Sequence, residues 1–147
     1  MKTSNKNSCT ASEAETLELG RKIGEAVQGG EIILLIGPMG ARKSVLAKGI
    51  ARGMGVDGQV RSPSFNLMRE YNARLTLKHW DLYRLEGGYG ELGLLDTIDD
   101  DSVVIVEWAE RWESLRKSAT GVIYIDYGVG ETDRVISMEG KIPGLND

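Results

Sequence analysis

Apolar residues change their spacing several times along this chain, and each change predicts an element. Leu19, Ile23 and Ala26 or Val27 recur at helical intervals. Ser12 and Glu15 ahead of them have the spacing of a capping box, so a helix is expected to run to about Gln28 and to end at Gly29 and Gly30. Residues 31–36 are a nearly continuous apolar run between glycines, which suits a strand buried on both faces. A loop over residues 37–44 leads into a helix that ends near Met54, where Gly53 and Gly55 stop it. Residues 65–71 and 75–83 alternate in part and predict two strands that turn at Asn72 and Ala73. A short helix over 91–98, a second buried strand over 102–108 and a charged helix over 109–117 are expected next. Residues 122–127 and 134–138 then close as a hairpin across a Gly-rich turn.

Helices alternate with buried strands at the front, and hairpins fill the middle and the end. This order predicts a three-layer α/β fold with a mixed central sheet. A polar, disordered leader is expected over residues 1–10, one domain over 11–140 and a tail over 141–147.

Composition narrows the class. A chain of 147 residues with 41% apolar and 27% charged residues suits one globular core. Its longest apolar runs, such as 32–36, are far too short to cross a bilayer, and residues 1–10 lack the apolar centre of a signal peptide. Cys9 is the only cysteine, which excludes an intramolecular disulfide and fits a reducing compartment. A cytoplasmic location with no membrane partner is therefore expected. The net charge of −4 argues against a direct grip on a nucleic-acid backbone. Any RNA in the chemistry would be held by a partner.

The strongest chemical signal is Gly37-Pro38-Met39-Gly40-Ala41-Arg42-Lys43-Ser44, placed between a buried strand and a helix. It follows the phosphate-loop pattern G-x-x-x-x-G-K-[ST] at every position but one. In such a loop the backbone N–H groups and the helix N-terminus surround a phosphate. Lys43 would bring a point charge to the β- and γ-phosphates, and the Ser44 hydroxyl would ligate Mg²⁺. Gly37, Gly40, Ala41, Arg42 and Val45 complete the nucleotide-binding candidates. Arg42 stands where the pattern has its second glycine. At positive φ it would carry strain on the order of 1–3 kcal/mol, partly recovered if its guanidinium met phosphate.

Other segments supply the acids that such a site needs. Residues 103–107 form an apolar run ending in Glu107, either a metal-site carboxylate or the solvent end of an ordinary strand. In His79-Trp80-Asp81-Leu82-Tyr83-Arg84, alternation places His79, Asp81 and Tyr83 on one side of an extended segment. Asp81 could bind the metal, directly or through water, or orient the nucleophile. His79, the only histidine, is more often structural than catalytic in such a setting. Ser62-Pro63-Ser64-Phe65 reads as a turn ahead of a strand or as a nucleotide-sensing switch.

Taken in order, these segments resemble the TsaE family. That family shows G-D-L-G-A-G-K-T, then S-P-T-F-x-L-x-x-E-Y, H-x-D-x-Y-R-L and an apolar strand ending I-E-W-x-E. Here the matching stretches are residues 37–44, 62–71, 79–85 and 106–110. The resemblance implies a P-loop ATPase, weak on its own, that binds ATP or ADP with Mg²⁺. It implies action beside TsaB and TsaD in tRNA threonylcarbamoyladenosine modification, with tRNA met only through those partners. By the same matching Ser64 and Asp81 would lie near the metal and γ-phosphate, Glu107 would take the Walker B-like role, and Trp108 would pack close to the nucleotide.

Arg42, Pro38 and the serines Ser44 and Ser64 depart from the family pattern; the serines keep the hydroxyl. The competing expectation is a docking subunit of the same complex with little turnover, its loop impaired by Arg42. A small-molecule kinase would need an arginine-rich lid, and a GTPase an N-K-x-D segment; neither is recognisable here.

Overall fold

A computed structural model describes residues 6–57, 67–85, 87–88 and 93–145. Among the described residues the strands are β1 (Lys6–Thr10), β2 (Ile32–Ile36), β3 (Met68–Asn72), β4 (Thr76–Asp81), β5 (Ser102–Glu107), β6 (Gly121–Tyr127) and β7 (Arg134–Gly140). They form one sheet in the order β1-β7-β6-β2-β5-β4-β3. β2 pairs parallel with both β5 and β6, and β4 pairs parallel with β5. The flanking pairs β3–β4, β6–β7 and β1–β7 are antiparallel. All six residues of β5 are buried. The continuous apolar runs of β2 and β5 therefore have the cause expected of them: both of their faces are covered.

Alternation along the strands divides the core in two. Ile33, Leu35, Leu77, Val103, Ile105 and Ile123 pack beneath α1 (Glu13–Ala26) and α2 (Lys43–Gly53). Ile32, Leu34, Trp80, Val104, Val106 and Val122 face the other way, where Ala109 and Leu115 cover them. Both helices thus lie on one face, and 3-10 turns form the third layer.

Ser12 caps the front of α1 as the spacing requires, while Glu15 reaches back one residue further than a capping box would take it, to Ala11. Ser12 Oγ accepts from Glu15 N at 3.1 Å, and Glu15 Oε1 accepts from Ala11 N at 3.0 Å. Four glycines then bring α1 and α2 into backbone contact. A Cβ on Gly24 would lie 2.0 Å from Ile50 O, and one on Gly49 would lie 2.2 Å from Leu17 O. Gly20 and Gly53 occupy the same seam.

Three expectations change. The leader expected over 1–10 carries β1 at Lys6–Thr10, whose register against β7 runs from Lys6–Met138 to Thr10–Arg134. The edge of β7 offers backbone partners, and five polar residues suffice to take them. The tail expected over 141–147 holds Ile142, which is fully buried in the helix-side core. The α-helix expected over 109–117 is replaced by 3-10 turns at Ala109–Arg111 and Glu113–Ser118. Trp112 between them has φ −123° and ψ 81°, which no α-helix contains. In the 91–98 segment the described helical part is a 3-10 turn at Leu95–Thr97, and residues 91 and 92 lie outside the described residues. Both expected hairpins form, β3–β4 across residues 73–75 and β6–β7 across 128–133.

Candidate functional site

The site lies where β2, β4 and β5 end together, beside the start of α2. Ends of parallel strands leave a crevice there, because the connections depart to different places. The loop after β2 crosses that crevice under tight steric control. A Cβ on Gly37 would come 2.1 Å from Ile125 O, so only glycine lets the loop leave β2 along this path. Gly40 has φ 79°, a left-handed conformation natural to glycine. Ala41 is fully buried, and its N–H closes a turn onto Pro38 O at 3.2 Å.

Arg42 is the N-cap residue of α2 and has φ 77° and ψ 30°. The glycine position of the motif is therefore left-handed here too, with an arginine in it. Such a conformation costs on the order of 1–3 kcal/mol. The guanidinium leaves the cleft floor: Arg42 Nη1 donates to Thr132 O at 3.0 Å, in the β6–β7 turn.

On the opposite wall, Asp81 and Glu107 stand in register at the ends of β4 and β5. Glu107 is only 3% exposed, and its carboxylate is held from two sides. Ser44 Oγ donates to Oε1 at 3.1 Å, with Oε2 at 3.4 Å. His79 Nε2 lies 2.6 Å from Glu107 Oε2. An ionised carboxylate only accepts, so Nε2 carries the hydrogen in that contact. His79 Nδ1 is buried and has no hydrogen-bond partner among the described residues. Asp81 Oδ1 accepts from Tyr83 N at 2.9 Å. Burial holds the Asp81 carboxyl above its ordinary pKa, and the nearby Glu107 charge pushes the same way.

Lys43 closes the cleft. Its Nζ donates to Gly37 O and sits 3.4 Å from the centroid of the Trp108 ring. Burial lowers its pKa, while Glu110, Glu107 and Asp81 oppose that shift. Trp108 also has positive φ, at 58°, and its ring meets Tyr83 with centroids 4.8 Å apart. Among the described residues, Arg42 and Trp108 are the non-glycine positions with positive φ, and both line this cleft. Backbone strain gathers at functional sites, where surrounding contacts can hold it.

The cleft has a volume of about 310 Å³ and is lined by Met39, Gly40, Arg42, Lys43, Ser44, Val45, Asp81, Glu107 and Trp108. Most residues singled out from the sequence therefore come together. Gly37 contributes through its carbonyl, Ala41 lies buried behind the loop, and Ser64 falls outside the described residues. A hydroxyl and two carboxylates are hard oxygen donors of the kind that suits Mg²⁺. Such a set would hold a cation by one or two carboxylates together with ligand phosphates rather than by a protein cage. The residues present thus fit a Mg²⁺-bound phosphate.

Sequence reasoning placed His79 beside Asp81 without seeing its bond to Glu107. It missed the supports of the loop altogether. Tyr127 OH donates to Met39 O, and Arg134 Nη2 donates to Gly40 O at 3.3 Å. These partners stand 88 and 94 residues from the loop, so no local pattern could reveal them.

Comparison with known proteins places the chain in a family. The family profile described as threonylcarbamoyl adenosine biosynthesis protein TsaE matches residues 10–136. A Mycobacterium tuberculosis protein named tRNA threonylcarbamoyladenosine biosynthesis protein TsaE is 42% identical over 107 residues, 65% of this chain and 64% of its own length. The chain therefore spans somewhat under two thirds of that relative. A Streptomyces coelicolor protein of the same name is 38% identical over 122 residues, 78% of this chain and 81% of that one. Among solved structures, a crystal structure of YdiB from Bacillus subtilis superposes with a TM-score of 0.78 and 26% identity, covering 95% of this chain and 88% of YdiB.

Proposed function

The chain belongs to the TsaE family, and on that premise we propose that it is a Mg²⁺-dependent ATPase serving tRNA threonylcarbamoyladenosine biosynthesis. The observation that carries the reading is the line Ser44–Glu107–His79, which sets a hydroxyl and an oriented carboxylate beside Lys43 at the start of α2. Loop N–H groups and the α2 N-terminus would bind the phosphates, and Lys43 would leave Gly37 O to neutralise their charge. Ser44 and Glu107 would hold the cation, with Asp81 completing its shell or orienting water. Bound Mg²⁺ supplies electrostatic stabilisation of the transferred phosphoryl group. His79 keeps Glu107 turned toward Ser44. Trp108, backed by the Tyr83 ring, walls the cleft on the side of the lysine. The partners would be TsaB- and TsaD-like proteins that hold the tRNA, which suits a chain of net charge −4.

Calorimetric titration of ATP with Mg²⁺ tests this directly. Saturable binding on the order of micromolar is expected, and Lys43→Ala should abolish it. An unmodified protein that takes up no nucleotide, alone or with its partners, would remove the reading. The second reading, a docking subunit with little turnover, draws on the left-handed Arg42. It requires Arg42→Gly to tighten ATP binding sharply, whereas a tolerated arginine leaves affinity little changed.

A further inference from the structure

The phosphate loop is supported by the far end of the chain as well as by β2 and α2. Three contacts join it to the β6–β7 turn and to the strand residues that flank it. Arg42 Nη1 donates to Thr132 O at 3.0 Å, Arg134 Nη2 donates to Gly40 O at 3.3 Å, and Tyr127 OH donates to Met39 O. Arg134 is 7% exposed and makes no ion pair among the described residues. Its Nη1 donates to Asp133 O at 2.8 Å and to Glu131 O at 3.1 Å, and its guanidinium lies 5.1 Å from the Tyr127 ring. A buried guanidinium held by carbonyls is costly unless its hydrogen bonds are kept, so it fixes the turn and the loop to each other. Arg42 spans the same gap in the opposite sense, from loop to turn.

We propose that Arg42 and Arg134 are positioning residues, two guanidinium clamps that hold the phosphate loop in its nucleotide-binding shape against the β6–β7 turn. The proposal rests on the nucleotide reading for its purpose, but the clamp itself is a property of the chain alone. On this view Arg42 compensates for the glycine it replaces. It accepts a left-handed backbone because its side chain anchors the loop from outside the cleft.

Amide hydrogen exchange on the full chain without nucleotide tests the clamp. Ala41, Gly128 and Asp133 each donate an N–H within the loop or turn, to Pro38 O, Asp133 O and Gly130 O. In Arg42→Ala these three amides should exchange about tenfold faster together, while amides of β2 and β5 keep their protection. Arg42→Lys retains a cationic donor and should stay within about threefold of the unmodified protein. In parallel, ATP affinity with Mg²⁺ should fall about tenfold in Arg42→Ala and recover in Arg42→Lys. Unchanged exchange in Arg42→Ala, or faster exchange in the loop without the turn, overturns the clamp. A protein that binds no ATP sinks the nucleotide reading, and the exchange comparison then decides the clamp by itself.

Discussion

Between α1 and α2, four glycines let two helix backbones touch, and a Cβ at any of them would strike the neighbouring helix. At the first residue before α2 the backbone is left-handed, the other situation that favours glycine, and the chain places Arg42 there. The two constraints differ in kind. Between the helices the obstacle is a carbonyl oxygen 2.0–2.4 Å from the missing carbon, which no rotamer can avoid. At Arg42 the obstacle is conformational, a fixed cost that a well-placed hydrogen bond can offset. Contact distances leave no choice of residue, whereas a backbone angle leaves one if the side chain gives something in return.

Adding the missing carbon at the helix seam should produce the largest effect. Gly24→Ala inserts volume that neither backbone can avoid, an overpacking cost of about 1–3 kcal/mol, against a helix-propensity gain of up to about 1 kcal/mol. Thermal unfolding should show Gly24→Ala lowering Tm by several degrees, at about 2–4 °C per kcal/mol for a chain of this size, and Gly49→Ala acting on the same seam. An unchanged Tm in both would mean that the helices can separate freely.

The arginine position sharpens the contrast with a smaller effect. Arg42→Ala keeps the left-handed strain and loses the bond to Thr132, while Arg42→Gly loses both. Arg42→Ala should therefore melt lower than Arg42→Gly, by roughly 2–4 °C for each kcal/mol of strain. Equal melting would show that the strain is already absorbed elsewhere in the loop.

Asp81 extends the comparison to charge. Its folded pKa lies above the ordinary aspartate value, so the ionised form is a cost to folding at neutral pH. That cost is present above the folded pKa and disappears as pH falls below the unfolded one. Without metal, Asp81→Asn should raise Tm slightly near pH 7 and lose its advantage at acid pH, while Mg²⁺-dependent nucleotide binding weakens. A melting curve that ignores pH in both proteins would count against a half-buried, ionised Asp81. Smallest of all, Arg21→Gln removes exposed contacts to Glu18 and Glu25 and should leave Tm unchanged within error.

What could be read from the sequence follows the range of the interactions. The Ser12 cap, the buried runs of β2 and β5 and the loop–helix step at Lys43 depend on neighbours within a few residues, so their patterns are local. The cleft was legible in part for the same reason, since Glu107 ends an apolar run, whereas Asp81 lay within a strand expected to reach residue 83 and proves to end it. Residues 109–117 were read as one charged helix because nothing in their composition marks the extended backbone of Trp112 that divides them. β1 was hidden by its polarity, since an edge strand needs only backbone partners. Gly20, Gly24 and Gly49 fell inside expected helices and Gly53 at a helix end, and their common role shows only when the two helices are packed together.

The position of β6 has a consequence for how the protein is made. β2 is complete by Ile36, yet one of its two parallel neighbours begins at Gly121, and the loop after it leans on the turn that follows β6. A growing chain that has emitted only its first hundred residues holds every atom of the phosphate loop but lacks the strand and turn that shape it. Pairings of such long sequence separation form late, because the entropy of closing the intervening chain must be overcome first. Until synthesis reaches the last hairpin, β2 carries an open edge. The phosphate loop, though written near the start of the chain, leans on partners that are synthesised near its end.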